Sequence, residues 1–141
     1  MAKGLWSVLI AILFVFEGCA VEAMQNHEPC QKQLVGTGWR LVMIDNDPIE
    51  LKHPATIRFE SEGKISGFSG CNSYFGKVTL DGTSITFGPI GSTRRYCMGK
   101  AGDVEKRLFA LFKGTKWWNF DEERNLQIFD DEHRLIFVKS E

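Results

Sequence analysis

The sequence predicts an α+β fold: a strongly curved antiparallel β-sheet, in effect a partly open barrel, with one helix packed against it. Three observations lead there. Short β-type runs separated by tight polar turns recur from residue 34 onward, which is the pattern of an antiparallel meander. One segment alone, GDVEKRLFALFKG, spaces apolar residues helically, with Val104, Leu108, Leu111 and Phe112 falling on one stripe. Gly67, Gly70 and Gly76 punctuate a strand-like run, as a sheet does where it bulges or where backbones approach closely. A lone amphipathic helix then has one place to bury its stripe, the sheet itself.

Taken in order, residues 1–23 read as a secretory signal segment. Lys3 supplies a positive start, and Leu5 to Phe16 form an apolar run too short to span a bilayer comfortably. Val21-Glu22-Ala23 suits cleavage after Ala23. An alternative end is Gly18-Cys19-Ala20, similar to a bacterial lipoprotein signal, which makes Cys19 a lipidation candidate. Phe16 and Glu17 depart from that pattern. Either ending exports the domain, to the periplasm or to an envelope-attached state, where disulfides persist. Residues 24–33 are polar with Pro29 and read as a flexible tether, and 34–141 form the domain.

Within the domain, Trp39 to Ile44 is apolar and β-branched, and Thr56 to Glu60 alternates Ile57 and Phe59 against Arg58 and Glu60. Glu62-Gly63 turns the chain into Lys64 to Phe68, and Tyr74 to Leu80 follows. Asp81-Gly82 predicts a type I′ hairpin, because both residues tolerate positive φ. Strands at Ser84 to Phe87 and Ile90 to Tyr96 precede the helix, expected over Asp103 to Lys113 with Asp103 as N-cap and Gly114 past its end. Lys116 to Phe120, Leu126 to Phe129 and Arg134 to Lys139 complete the strands.

Composition narrows the function. The 141 residues carry a formal net charge of −1, which argues against binding nucleic acid by bulk electrostatics. His27, His53 and His133 are scattered without ligand spacing, so no metal site or cofactor is expected. No nucleophile elbow is present. The acidic runs Asp121-Glu122-Glu123 and Asp130-Asp131-Glu132 sit in turns and read as solvated faces. No catalytic residue is assigned, and the protein is expected not to be an enzyme.

The cysteines carry the main chemical question. Cys71 and Cys97 fall on separate strands of one meander, and export favours a disulfide between them. Closing a loop of about 25 residues would contribute roughly 3–3.5 kcal/mol in the chain-entropy model. Two buried thiols acting as small apolar fillers are the plainer alternative. A redox thiol is disfavoured, since neither a Cys-x-x-Cys nor a neighbouring histidine occurs. Cys30 is left over in the tether, and its pairing with Cys71 or Cys97 stays open. Asn72 is expected to bond local backbone at a bend. Arg94, Arg95, Lys106 and Arg107, with one of Trp117 and Trp118 exposed, offer an interaction surface; Trp118 is the contact candidate taken forward.

Two linked stretches, G-F-S-G-C-N-S-Y-F-G from Gly67 to Gly76 and I-T-F-G-P-I-G-S-T-R-R-Y-C from Ile85 to Cys97, resemble the signature of the META domain. This is the HslJ-like family of small exported bacterial proteins. Gly38-Trp39-Arg40-Leu41 and Glu105 also match, so the resemblance spans Leu34 to Lys139. Arg95-Tyr96 stands where the family usually has Met-Ala. The resemblance implies a structural motif of Gly67, Gly70, Asn72, Gly76, Ser92 and Thr93, a curved antiparallel sheet with a helix, and no established catalytic residues. Its association with envelope stress leads to the expectation of a non-enzymatic, stress-related accessory factor acting through its surface on an unknown envelope protein. A pilot-like carrier of a lipid or other apolar ligand is the alternative. The chain is expected to be a monomer that touches membrane only through a lipid anchor.

Overall fold

The computed structural model describes residues 32–140. The expectations for the signal segment, Cys19, His27 and Cys30 therefore lie outside the described residues. A helical turn at residues 32–34 brings in Leu34, which is fully buried. The strands that follow are β1 (Gly38–Ile44), β2 (Asp47–Pro48), β3 (Thr56–Phe59), β4 (Lys64–Phe68), β5 (Ser73–Asp81) and β6 (Ser84–Ser92). The one long helix among the described residues, α1 (Lys100–Leu111), leads to β7 (Gly114–Phe120), β8 (Leu126–Phe129) and β9 (Arg134–Ser140).

All strand pairings are antiparallel, and neighbours in sequence are neighbours in the sheet from β3 to β9. β1 closes the ring. Its first half pairs with β3, its end pairs with β2, and its other edge pairs with β9 from Gly38↔Ser140 to Ile44↔Leu135. The register slips between Leu41 and Met43, and such a bulge sharpens local twist. β6 and β7 pair only from Ser84↔Trp117 to Phe87↔Gly114, which leaves the second half of β6 without β7 beside it. Beyond Phe87, β6 keeps β5 as its partner, and α1 packs near this opening.

Alternation accounts for the interior. Ile57 and Phe59 point inward from β3, Leu126 and Ile128 from β8, and Leu135 and Phe137 from β9, each at most 2% exposed. From α1 the sheet receives Val104 and Leu108, with Phe112 just past the helix end. Phe112 stacks on Phe87 at 4.6 Å between centroids, and Tyr74 meets Phe109 and Phe112 edge-on at 5.5 and 5.8 Å. Burying rings of this size stabilises the fold by about 1.5–3 kcal/mol each, which holds the helix on the sheet.

The structure corrects several expectations of local detail. The helix begins three residues before Asp103, with Gly99 at the N-cap position, φ 72°, and no side-chain cap. The backbone bond from Asp103 N–H to Gly99 carbonyl, 3.1 Å, makes Asp103 part of the first turn. Helical geometry thus runs through Gly102 against propensity, because packing decides the start. The Asp81-Gly82 turn is a two-residue loop with Asp81 opposite Ser84, and Gly82 alone has positive φ. That is the type II′ pattern rather than I′. The segment expected as a strand at Ile90 to Tyr96 pairs only as far as Ser92, since Asn72 draws the chain off the sheet.

Candidate functional site

The connection between β4 and β5, Ser69-Gly70-Cys71-Asn72, is the most densely bonded polar feature of the fold. Gly70 has φ 96°, a left-handed conformation that any side chain would strain. This sharp bend lets the Ser69 N–H donate to the Asn72 carbonyl at 2.8 Å. Ser69 and Asn72 are buried, 0% and 2% exposed. A buried polar side chain is tolerable only if it is bonded, and both are.

The Ser69 hydroxyl donates to Glu105 Oε2 and accepts from the N–H groups of Asn72, 2.8 Å, and Cys71, 3.2 Å. Asn72 uses its whole capacity. Its Nδ2 donates to the Arg95 carbonyl at 2.9 Å and to the Glu105 carboxylate at 2.9 and 3.1 Å. Its Oδ1 accepts from Arg95 N–H at 2.7 Å and from the Thr93 hydroxyl at 3.0 Å. The Asn72 N–H also reaches Glu105 Oε2 at 3.1 Å. Beside this array Cys71 and Cys97 form a disulfide, with Cα atoms 5.9 Å apart. One asparagine, one carboxylate and one disulfide thus tie together the β4–β5 connection, the β6–α1 connection and the helix.

A second device sits beside it. The Tyr74 hydroxyl donates to the Thr56 carbonyl at 2.6 Å, reaching it by crossing Gly67. A Cβ on Gly67 would lie 2.2 Å from that carbonyl oxygen and 2.6 Å from the Tyr74 hydroxyl. Gly67 is therefore the gap through which the phenol passes. Burial pushes the Tyr74 phenol pKa well up, so the ring stays a neutral donor.

The structure brings Gly67, Gly70, Cys71, Asn72, Thr93 and Cys97 into this one knot. Gly76 lies nearby on β5, where an added Cβ would sit 2.6 Å from Ile90 Cδ1. Ser92 is exposed and pairs with Tyr74 at the end of β6. Asn72 departs from expectation: its partners are 23 and 33 residues away rather than local. The signature supplied Asn72 itself, whereas Ser69 and the partner role of Glu105 carry no local signal, since only the folded chain brings them together.

The surface candidates divide. Arg94, Arg95 and Lys106 are exposed, and Arg95 Nη2 leans to the Cys71 carbonyl at 3.4 Å. Arg107 is engaged within the fold, donating to Asp47 at 2.6 Å and to the Ile44 carbonyl at 3.3 Å. Trp118 is 2% exposed, and Trp117 is the half-exposed member of the pair. Strand alternation permits only one of them outside, and Trp118, opposite Ile128, faces the core. Sequence reasoning passed over the most exposed apolar residues, Tyr96 at 87% and Met98 at 82%.

Among the described residues no group of three His, Cys, Asp or Glu side chains is placed to hold a metal. The knot has both sulfurs bridged and its amide and hydroxyl groups bonded to one another. Its arrangement is that of a structural clasp in a small curved-sheet domain. The family model of the META domain matches residues 32–141, and the chain belongs to that family. An NMR structure of a protein from Burkholderia xenovorans is similar, at 22% identity, TM-score 0.65 and 99% of each chain covered. A second NMR structure is 21% identical, with 81% of this chain and 94% of that chain covered and a TM-score of 0.65. Both share the fold. No curated protein matches the chain.

Proposed function

We propose that the protein is a non-enzymatic, exported envelope protein, a stress-related accessory factor that works through its surface. The observation that carries this reading is the fate of the family signature. Asn72, Thr93, Cys71 and Cys97 are spent on holding the fold, with Asn72 buried and fully bonded. An enzyme needs converging polar groups left free to act on a substrate, and here those groups satisfy each other. The disulfide supports export, because such bonds persist in oxidising compartments, and so does the signal-like run from Leu5 to Phe16.

The carrier reading finds less support. The rings of Phe87, Phe109, Phe112 and Tyr74 fill the space between helix and sheet. The large cleft, about 450 Å³, lies instead at the far rim, lined by Gly36, Thr37, Gly38, Arg58, Lys139 and Ser140. It is open to solvent and carries the cations Arg58 and Lys139 in its lining, unlike the enclosed apolar site such a ligand needs.

Fractionation of cells producing the full chain, with mass spectrometry of the mature N-terminus and thiol counting, tests the reading. The expected outcome is an extracytoplasmic protein with Cys71 and Cys97 oxidised, and a deletion strain sensitive to envelope stress. A cytoplasmic protein with free thiols at both positions would overturn it.

A further inference from the structure

From Ser92 to Lys100 every residue is exposed except Cys97, which is half-buried. This loop holds Arg94, Arg95 and Lys100 and no acidic residue, in a chain whose formal net charge is −1. Between those cations stand Tyr96 and Met98, 87% and 82% exposed. Single exposed apolar residues are ordinary, but here two large ones flank a disulfide that fixes their position. Arg95 is held through its backbone N–H and carbonyl by Asn72, so the loop is braced at both Arg95 and Cys97.

We infer that this loop is a contact site for an anionic lipid bilayer. Tyr96 and Met98 enter the interface, and Arg94, Arg95 and Lys100 meet the lipid phosphates. The inference rests on the surface-acting reading above and names its partner; it also departs from the expectation that a lipid anchor alone touches membrane. Three features favour a bilayer over a protein. The apolar tips project almost completely, and a fluid interface accepts a protruding loop without a matching pocket. Tyrosine joins an apolar ring to a polar tip, which suits the headgroup boundary. The cations complement a negative lipid surface, where each Lys or Arg contributes about a fivefold gain in binding. Because the loop is already braced, docking demands little ordering.

Vesicle flotation tests this with the full-length protein in the form its host matures. Phosphatidylcholine vesicles with and without phosphatidylglycerol are compared at low and high salt. Each variant shares the wild-type N-terminus, so any contribution from that end cancels. Arg94→Gln with Lys100→Gln is expected to lower partition onto the anionic vesicles about thirtyfold. Tyr96→Ser with Met98→Ser is expected to lower it about tenfold, through lost apolar insertion. The wild type should bind anionic vesicles far better than neutral ones and weaken with salt. Circular dichroism and an intact disulfide confirm that the variants fold.

Equal binding to both vesicle types, or variants that bind like wild type, overturns the inference. So does salt-sensitive association with an acidic protein in the absence of vesicle binding, or a self-association that the same variants abolish. An exported protein that ignores vesicles defeats this inference alone, whereas a cytoplasmic one defeats the reading beneath it.

Discussion

The Ser69–Asn72 connection and the Asp121–Asn125 turn are both polar links between antiparallel strands, yet they are built oppositely. In the turn, one Asp121 oxygen accepts the N–H groups of Glu123 and Asn125, each at 2.9 Å, and the other accepts Asn125 Nδ2 at 3.0 Å. Every one of these partners lies within four residues. Asp130 does the same for Glu132 and His133, at 2.9 and 2.7 Å. Asn72 instead bonds residues 23 and 33 positions away, from inside the protein. The turns organise themselves, while the connection organises the molecule. A solvated turn can exchange a lost bond for water, but a buried amide network cannot.

The sharpest way to break this contrast is Asn72→Ala. It removes the amide bonds to the Glu105 carboxylate, the Thr93 hydroxyl and both backbone groups of Arg95, leaving Glu105 only the Ser69 hydroxyl and the Asn72 N–H. A loss of about 3 kcal/mol in urea unfolding is expected. A loss below about 1 kcal/mol would place the connection in the same class as the turns.

Of similar size is the disulfide. Cys71→Ala and Cys97→Ala should each cost about 3 kcal/mol, and the double variant scarcely more, since one bridge is lost in all three. Clearly additive losses in the same unfolding experiment would contradict a shared bridge.

Asp121→Ala should cost about 1 kcal/mol, because water replaces the carboxylate at exposed N–H groups. Thermal melts of this variant beside Asn72→Ala measure the contrast directly.

The smallest effect is electrostatic. The Lys116 ammonium, 2.5 Å from Asp130 Oδ2, together with the Glu132 N–H, pulls the Asp130 carboxyl pKa down to about 2. A depressed carboxyl stabilises the fold above its unfolded pKa and ceases to as it protonates. Stability should therefore fall as pH drops from about 4 towards 2, and Lys116→Ala should flatten that part of the profile. An unchanged profile in the variant would show that the pair contributes nothing.

The same division explains what could be read in advance. The strands at Lys64–Phe68 and Leu126–Phe129 match their apolar pattern residue for residue. Alternation and turn chemistry are local, and each strand buries one face whatever its partner. The tryptophan pair marks the limit. Trp117-Trp118 had to split between surface and core, but which one went inside depended on the register with β8. Helix α1 shows it too: the stripe of Val104, Leu108 and Phe112 was legible, while the start at Lys100 was not. The chain entering it is held by Asn72 and Cys71, neither of which is near in sequence.

By itself, the sequence determined the antiparallel order of short strands, the single helix and the cysteine pair available for bridging, because periodicity and turn residues act over a few positions. Only the tertiary structure decided that Ser69 and Glu105 complete the bonding of Asn72, and that Tyr74 crosses Gly67 to reach Thr56. Tertiary structure also left Tyr96 and Met98 facing outward. These outcomes depend on segments brought together by burial of a shared core, and no local preference specifies which distant groups will meet.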